Sequence, residues 1–117
     1  MSYSDRSATV AALKDVAAKF TAERDWDQFH DPKNLAIGLV TEAAELLQHF
    51  RFRSDIQIQG LLNSRNRVEL ENEIADVFFM LLRLSTKIEC DLAASLERKL
   101  TKNSLQHSVK RGRGKDL

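Results

Sequence analysis

The sequence predicts an all-α fold, and three observations carry that reading. Its 117 residues include only four glycines and one proline, too few turn formers for a sandwich or barrel that reverses roughly every 8 to 12 residues. Apolar residues recur at helical rather than alternating spacing. Hydrophobic residues make up 43% of the chain and charged ones 30%, enough for a buried core under a solvated surface. The expected organisation is a four-helix domain over residues 1–109, followed over 110–117 by a basic, glycine-containing tail that should be mobile.

Val10, Leu13, Val16, Ala17 and Phe20 follow Ser4 at helical spacing and predict a first helix over about 4–23. The run Asp25-Trp26-Asp27-Gln28-Phe29-His30 has no clean period and reads as a connection. Asp31-Pro32 then opens a second helix, reaching about residue 51. The aspartate supplies an acceptor for orphan amides, and proline is tolerated at the first helical position. Gly60, Asn63, Ser64 and Asn66 mark 53–66 as a connection containing a short helical turn. Nothing from Val68 to Glu89 breaks a third helix over about 67–89. Asp91 caps a fourth, with Leu92, Ala93, Leu96, Leu100 and Leu105 on one side.

Composition narrows the function. Eighteen basic residues against seventeen acidic ones leave a net charge of +1, which gives no whole-protein field for nucleic acid or an anionic membrane. The single cysteine, Cys90, excludes an intramolecular disulfide and a cysteine-rich zinc site; it reads as a small buried apolar residue. No apolar run approaches the roughly 20 residues of a membrane span, and the first residues carry no secretory pattern. The expectation is a soluble, cytoplasmic protein with no membrane partner.

The informative pattern lies inside the second and third helices. With Leu35 as zero and about 100° per residue, Leu39 falls near ~40°, Leu46 near ~20° and Glu42 near ~−20°. Glu42 therefore sits on the inward stripe, with Glu45 beside it. With Glu73 as zero, Met80 falls near ~−20°, Leu84 near ~20° and Val77 near ~40°, while Asp76 lies about 60° to one side. Either pair alone is a common solvated surface motif. Two pairs on apolar stripes of consecutive helices are a different matter, since facing carboxylates repel and raise one another's pKa. A hard divalent cation removes that repulsion, and an all-oxygen set favours Mg²⁺ or Mn²⁺ over iron or zinc.

Glu42-Ala-Ala-Glu45, a spacer, and Glu73-Ile-Ala-Asp76 resemble the Glu-x-x-Glu…Glu-x-x-Asp signature of the MazG-like, all-α nucleotide pyrophosphohydrolases. The flanks Glu23 to His30, Pro32, Asn34, Leu35, Glu45 to Phe50, and Lys102-Asn103 are similar to the dCTP-pyrophosphatase-like branch. The resemblance spans about residues 10–112. It implies a four-helix MazG-like subunit that assembles into a helical-bundle homodimer or tetramer. It also implies Mg²⁺-dependent conversion of a nucleoside triphosphate to monophosphate and pyrophosphate, with Mn²⁺ a substitute metal. By this resemblance Glu42, Glu45, Glu73 and Asp76 are the catalytic metal ligands, with Glu45 helping to orient water. Trp26, His30, Phe52, Lys102 and Asn103 are its substrate-binding residues: an indole face stacks on a base, and Lys102 offers a point charge to phosphate.

The chain departs from that branch in three places. Phe52 stands where a tryptophan is common, Ala17 where a pocket histidine occurs, and His107-Ser108 where Tyr-Pro often follows. These leave the catalytic carboxylates intact and bear on base preference. The expected substrate is a pyrimidine such as dCTP, or a modified or non-canonical deoxynucleotide, in a house-cleaning role. Two rivals stand beside it: a hydrolase of another phosphoanhydride, and a non-enzymatic regulator binding nucleic acid through Lys110, Arg111, Arg113 and Lys115. Leu47, Val40, Ala43 and Phe50 on one helix, and Ile74, Phe78 and Leu82 on the next, fall away from the inward stripes and predict a covered outer face.

Overall fold

The structure, a computed structural model, describes residues 2–106; the 109/110 boundary and the basic tail lie outside the described residues. Five helices are present rather than four: α1 (Val10–Glu23), α2 (Pro32–Gln48), α3 (Asp55–Leu62), α4 (Arg67–Lys87) and α5 (Leu92–Gln106), with a 3-10 turn at Asp27–Phe29 between α1 and α2. No described residue is in a strand.

The differences from the expected boundaries have local causes. α1 begins at Val10 because Thr9 caps it, its hydroxyl accepting the Ala12 amide at 3.0 Å. Ser4 and Ser7 instead close a turn on each other, with Oγ atoms 2.9 Å apart. α3 forms despite Gly60 because Ser54 and Gln57 make a reciprocal capping box, at 3.2 and 2.8 Å. Leu61 then fastens it to the core. Elsewhere the reading holds. The Asp31 carboxylate accepts the Asn34 amide at 2.8 Å ahead of Pro32, and Asp91 accepts the Ala94 amide at 2.9 Å.

α2 packs on α4, and α1 packs on α4 as well. Gly38 makes room for this: a Cβ there would meet Met80 Sδ at 3.0 Å. The buried apolar side chains are Ala17, Leu35, Leu61, Leu70 and Leu82. Leu82 is thus in the subunit's own core and not on the outer face, a correction to the helical-wheel reading. Cys90 is half-buried, its Sγ 3.3 Å from Ser95 Oγ. α5 contributes no buried side chain, and Leu96, Leu100 and Leu105 stay exposed on it. The radius of gyration is 17.2 Å, well above the roughly 13 Å of a compact domain of about 100 residues.

Two helices end with the same device. After α1, the Asp25 and Trp26 amides reach back to Ala22 and Thr21 carbonyls at 3.2 and 3.1 Å, with Asp25 at φ 54°. After α4, the Glu89 and Cys90 amides reach Thr86 and Ser85 at 3.2 and 2.8 Å, with Glu89 at φ 55°. This is the left-handed helix stop usually filled by glycine. A side chain there costs about 1 kcal/mol, and an acidic group opposes the helix dipole. Replacing Glu89 with glycine should therefore stabilise the protein by about 0.5–1 kcal/mol. Chemical denaturation checks this, and a destabilised Glu89→Gly would refute the strain.

Candidate active site

α2 and α4 run antiparallel where they touch. Gly38 faces Met80, and one turn further along α2, Glu42 faces Asp76 one turn back along α4. This register brings one oxygen each from Glu42, Glu73 and Asp76 within 4.8 Å of one another. Glu42 and Glu73 are half-buried and Asp76 is exposed. The Oε2 atoms of Glu42 and Glu73 are buried without any hydrogen-bond partner. The Glu42 carboxyl is pushed from the ordinary 4.5 up to about 7, first by its hydrogen bond to Glu73, then by burial, then by the charges of Glu45 and Asp76. Glu45 is exposed and stands outside the converging trio, adding its charge beside Glu42.

Buried, orphaned carboxylate oxygens are costly unless something compensates them. Three converging oxygens fit a hard divalent cation, and the set contains no nitrogen or sulfur donor.

Two of the three face a cleft of about 580 Å³, within the range of roughly 300–1,000 Å³ of ligand pockets. Glu42 and Asp76 stand on its wall with Phe20, Trp26, Phe79 and Met80. Trp26 meets Phe20 edge-on at 5.5 Å, and Phe20 meets Phe79 at 6.0 Å. Trp26 remains 43% exposed, so its indole is available to a ligand.

The other expected substrate residues lie elsewhere. His30 is half-buried behind the cleft, its Nδ1 accepting from Arg83 Nε at 3.2 Å and its ring 6.3 Å from Phe79. Burial and the Arg83 charge hold His30 below its ordinary value of 6.5, against the pull of Asp27. Phe52 lies past the end of α2, 86% exposed, with the Arg51 guanidinium 4.9 Å from its ring centroid. Lys102 and Asn103 are on α5, off the cleft wall. The single subunit thus unites Trp26, Glu42, Glu73 and Asp76, with Glu45 adjacent, and leaves Phe52, Lys102 and Asn103 apart.

The sequence reading missed a basic cluster behind Trp26. Arg83 is 2% exposed, and its Nη2 donates to Asp27 Oδ1 at 2.7 Å. Lys87 Nζ lies at 2.7 Å from the same oxygen. These contacts, the Lys87 hydrogen bond first, keep the Asp27 carboxyl below its ordinary value of 3.8. One signal was available: Arg83 falls about 20° from Asp76 on the helical wheel, a charge between the apolar Phe79 and Met80.

A helical pair that converges carboxylates at an aromatic cleft is an acidic, cation-suited site on an all-α scaffold. The comparisons give it a class. A solved pyrophosphatase from Archaeoglobus fulgidus superposes with a TM-score of 0.77 at 33% identity, over 92% of this chain and 97% of that one. The dCTP pyrophosphatase 1 of Rattus norvegicus is 34% identical over 107 residues, 91% of this chain and 63% of the relative. That of Homo sapiens is 36% identical over 97 residues, 81% of this chain and 56% of the relative. The chain therefore spans less than two thirds of these curated relatives. No family model matches it. The chain belongs to the MazG-like, all-α nucleotide pyrophosphohydrolase family.

The electrostatics set a pH dependence for the metal-free protein. With Glu42 near 7 in the fold and near 4.5 when unfolded, the folded state holds an extra proton across that window. The stability this proton confers is complete below about 4.5 and is lost as pH rises through about 7. Thermal melts in chelator across that window should show the loss for the native chain and a flatter profile for Glu42→Gln. Parallel profiles would remove Glu42 as its source.

Proposed function

We propose that this chain hydrolyses a nucleoside triphosphate to monophosphate and pyrophosphate, cleaving the anhydride bond between the α and β phosphates. The expected substrate is a pyrimidine deoxynucleotide such as dCTP, or a modified deoxynucleotide. The observation that carries the reading is the convergence of Glu42, Glu73 and Asp76, two with buried orphaned oxygens, on a cleft that also presents Trp26. The similarity to proteins described as dCTP pyrophosphatases supports it.

Glu42, Glu73 and Asp76 would hold Mg²⁺ or Mn²⁺, which when bound neutralises charge on the phosphate oxygens. Exposed Glu45, beside Glu42, would accept a hydrogen bond from water and orient it. Trp26 offers a face for the base, and the apolar wall of Phe20, Phe79 and Met80 excludes solvent around it. No helix among the described residues is long and apolar enough to cross a membrane. The residues of the rival tail-binding reading lie outside the described residues.

A second copy of the chain completes the proposal. Ile37, Val40 and Leu47 on α2, Ile74 and Phe78 on α4, and Leu96, Leu100 and Leu105 on α5 are all exposed in one chain. Covering them by self-association is also the way Phe52, Lys102 and Asn103 could reach a cleft, that of a neighbour. A homodimer or tetramer is expected, and sedimentation as a stable 13.3 kDa species at micromolar concentration would refute it.

The decisive assay incubates the protein with Mg²⁺ and a panel of canonical and modified triphosphates, resolving pyrophosphate from orthophosphate. Glu73→Gln and Asp76→Asn should each lower kcat about 100-fold, a loss of about 2.7 kcal/mol of charge stabilisation. Trp26→Ala should raise KM about tenfold with kcat retained. Turnover of no triphosphate would move the reading to another phosphoanhydride.

A further inference from the structure

Arg83 is out of place for a stabilising residue. Its side chain is 3% exposed, yet its acidic partner Asp27 is 55% exposed on the surface turn above it. Burying a guanidinium is costly, and replacing a buried ion pair by apolar groups is often neutral or favourable. What the guanidinium supplies is geometry. Nη2 donates to Asp27 at 2.7 Å and Nε to His30 at 3.2 Å. These residues are the two ends of the single 3-10 turn that follows Trp26, closed by the His30 amide on the Asp27 carbonyl at 3.0 Å. A planar fork fixes both the position and the tilt of that turn, which a point charge cannot. Lys87 reaches only the Asp27 oxygen.

The contacts also close on themselves. Trp26 touches Phe20, Phe20 touches Phe79, and Phe79 touches His30. His30 bonds Arg83, and Arg83 bonds Asp27, the next residue after Trp26. The Trp26 amide is itself held by the Thr21 carbonyl at 3.1 Å. We propose that Arg83 is a positioning residue that locks the Asp27–His30 turn onto α4 and thereby fixes the Trp26 indole at the cleft. Its effect on substrate rests on the reading of Trp26 as the base-stacking face; its effect on the turn does not.

Trp26 is the sole tryptophan, so intrinsic fluorescence reports on this residue alone. Acrylamide quenching would be measured on the full chain for Arg83→Met, Asp27→Asn and Lys87→Met, with KM and kcat for the best triphosphate. Asp27 lies on the surface, so its variant keeps the test alive should Arg83→Met fail to fold. Quenching should rise in Arg83→Met and Asp27→Asn and stay near native in Lys87→Met. KM should rise about tenfold in the first two with kcat within about twofold, because the carboxylates are untouched. Asp27→Glu, which keeps the charge, should recover part of the loss. Native quenching in both Arg83→Met and Asp27→Asn would overturn the proposal, as would the full effect in Lys87→Met alone. Should the native chain turn over no triphosphate, the quenching decides the lock by itself, and the reading of the cleft fails separately.

Discussion

Like charge pressed between two packed helices is the constraint on which this subunit depends. α2 and α4 bring Glu42, Glu73 and Asp76 together, and nothing in their immediate register is basic. The fold tolerates this because one carboxyl, Glu42, is pushed up toward neutrality, and because Asp76 and Glu45 keep access to water. Such a site is poor structure and good chemistry. A helix pair optimised only for packing would carry leucine at 42 and 73, where the wheel places the centre of each apolar stripe. Keeping acids there costs stability that Leu35, Leu70 and Leu82 must offset from the neighbouring turns.

α4 is graded along its length for the same reason. Its first turns hold Glu73 and Asp76, its middle the aromatic and thioether wall of Phe79 and Met80, and its last turns Arg83 and Lys87. The acidic end demands positive charge from outside the chain. The basic end is satisfied within it by Asp27, and its cations also lie near the helix C-terminus, where the dipole favours them. The two ends are therefore not redundant. One lines the cleft with acids, while the other is closed onto the turn that frames the aromatic wall.

Features set by local spacing were legible in the sequence. The 3.6-residue count points to four carboxylates, Glu42, Glu45, Glu73 and Asp76, of which three converge, and Asp31-Pro32 and Asp91 mark the α2 and α5 starts. Trp26 was placed beside the site by resemblance, and the cleft holds it. The failures were of other kinds. Gly60 and Asn63 mark this stretch as a connection with only a short helical turn; the Ser54/Gln57 box, a signal that reading did not use, carries α3 to eight residues. The Ser4 start failed because its hydroxyl found Ser7. Leu82 was assigned outward because a wheel knows one helix at a time, whereas α4 is covered on more than one side by α1 and α2. Arg83 was missed because its partners are 53 and 56 residues away, beyond any periodic pattern.

Phe52, Lys102 and Asn103 differ in kind from those failures. Their chemistry suits a nucleotide, yet one subunit holds them away from the carboxylates, on segments that bury little against the rest. α5 has no buried side chain and an apolar stripe of its own; the chain is expanded relative to a closed domain. A helix that buries no side chain fully does not persist by propensity alone at 15 residues. Its leucines call for a surface, and the exposed apolar faces of α2 and α4 are the complementary ones in this chain. An assembly that joined them would cover the apolar area and bring α5 to a neighbour's cleft in the same step. That coupling would make the α5 residues expected at the phosphates depend on association, whereas the carboxylate trio and Trp26 come together before it.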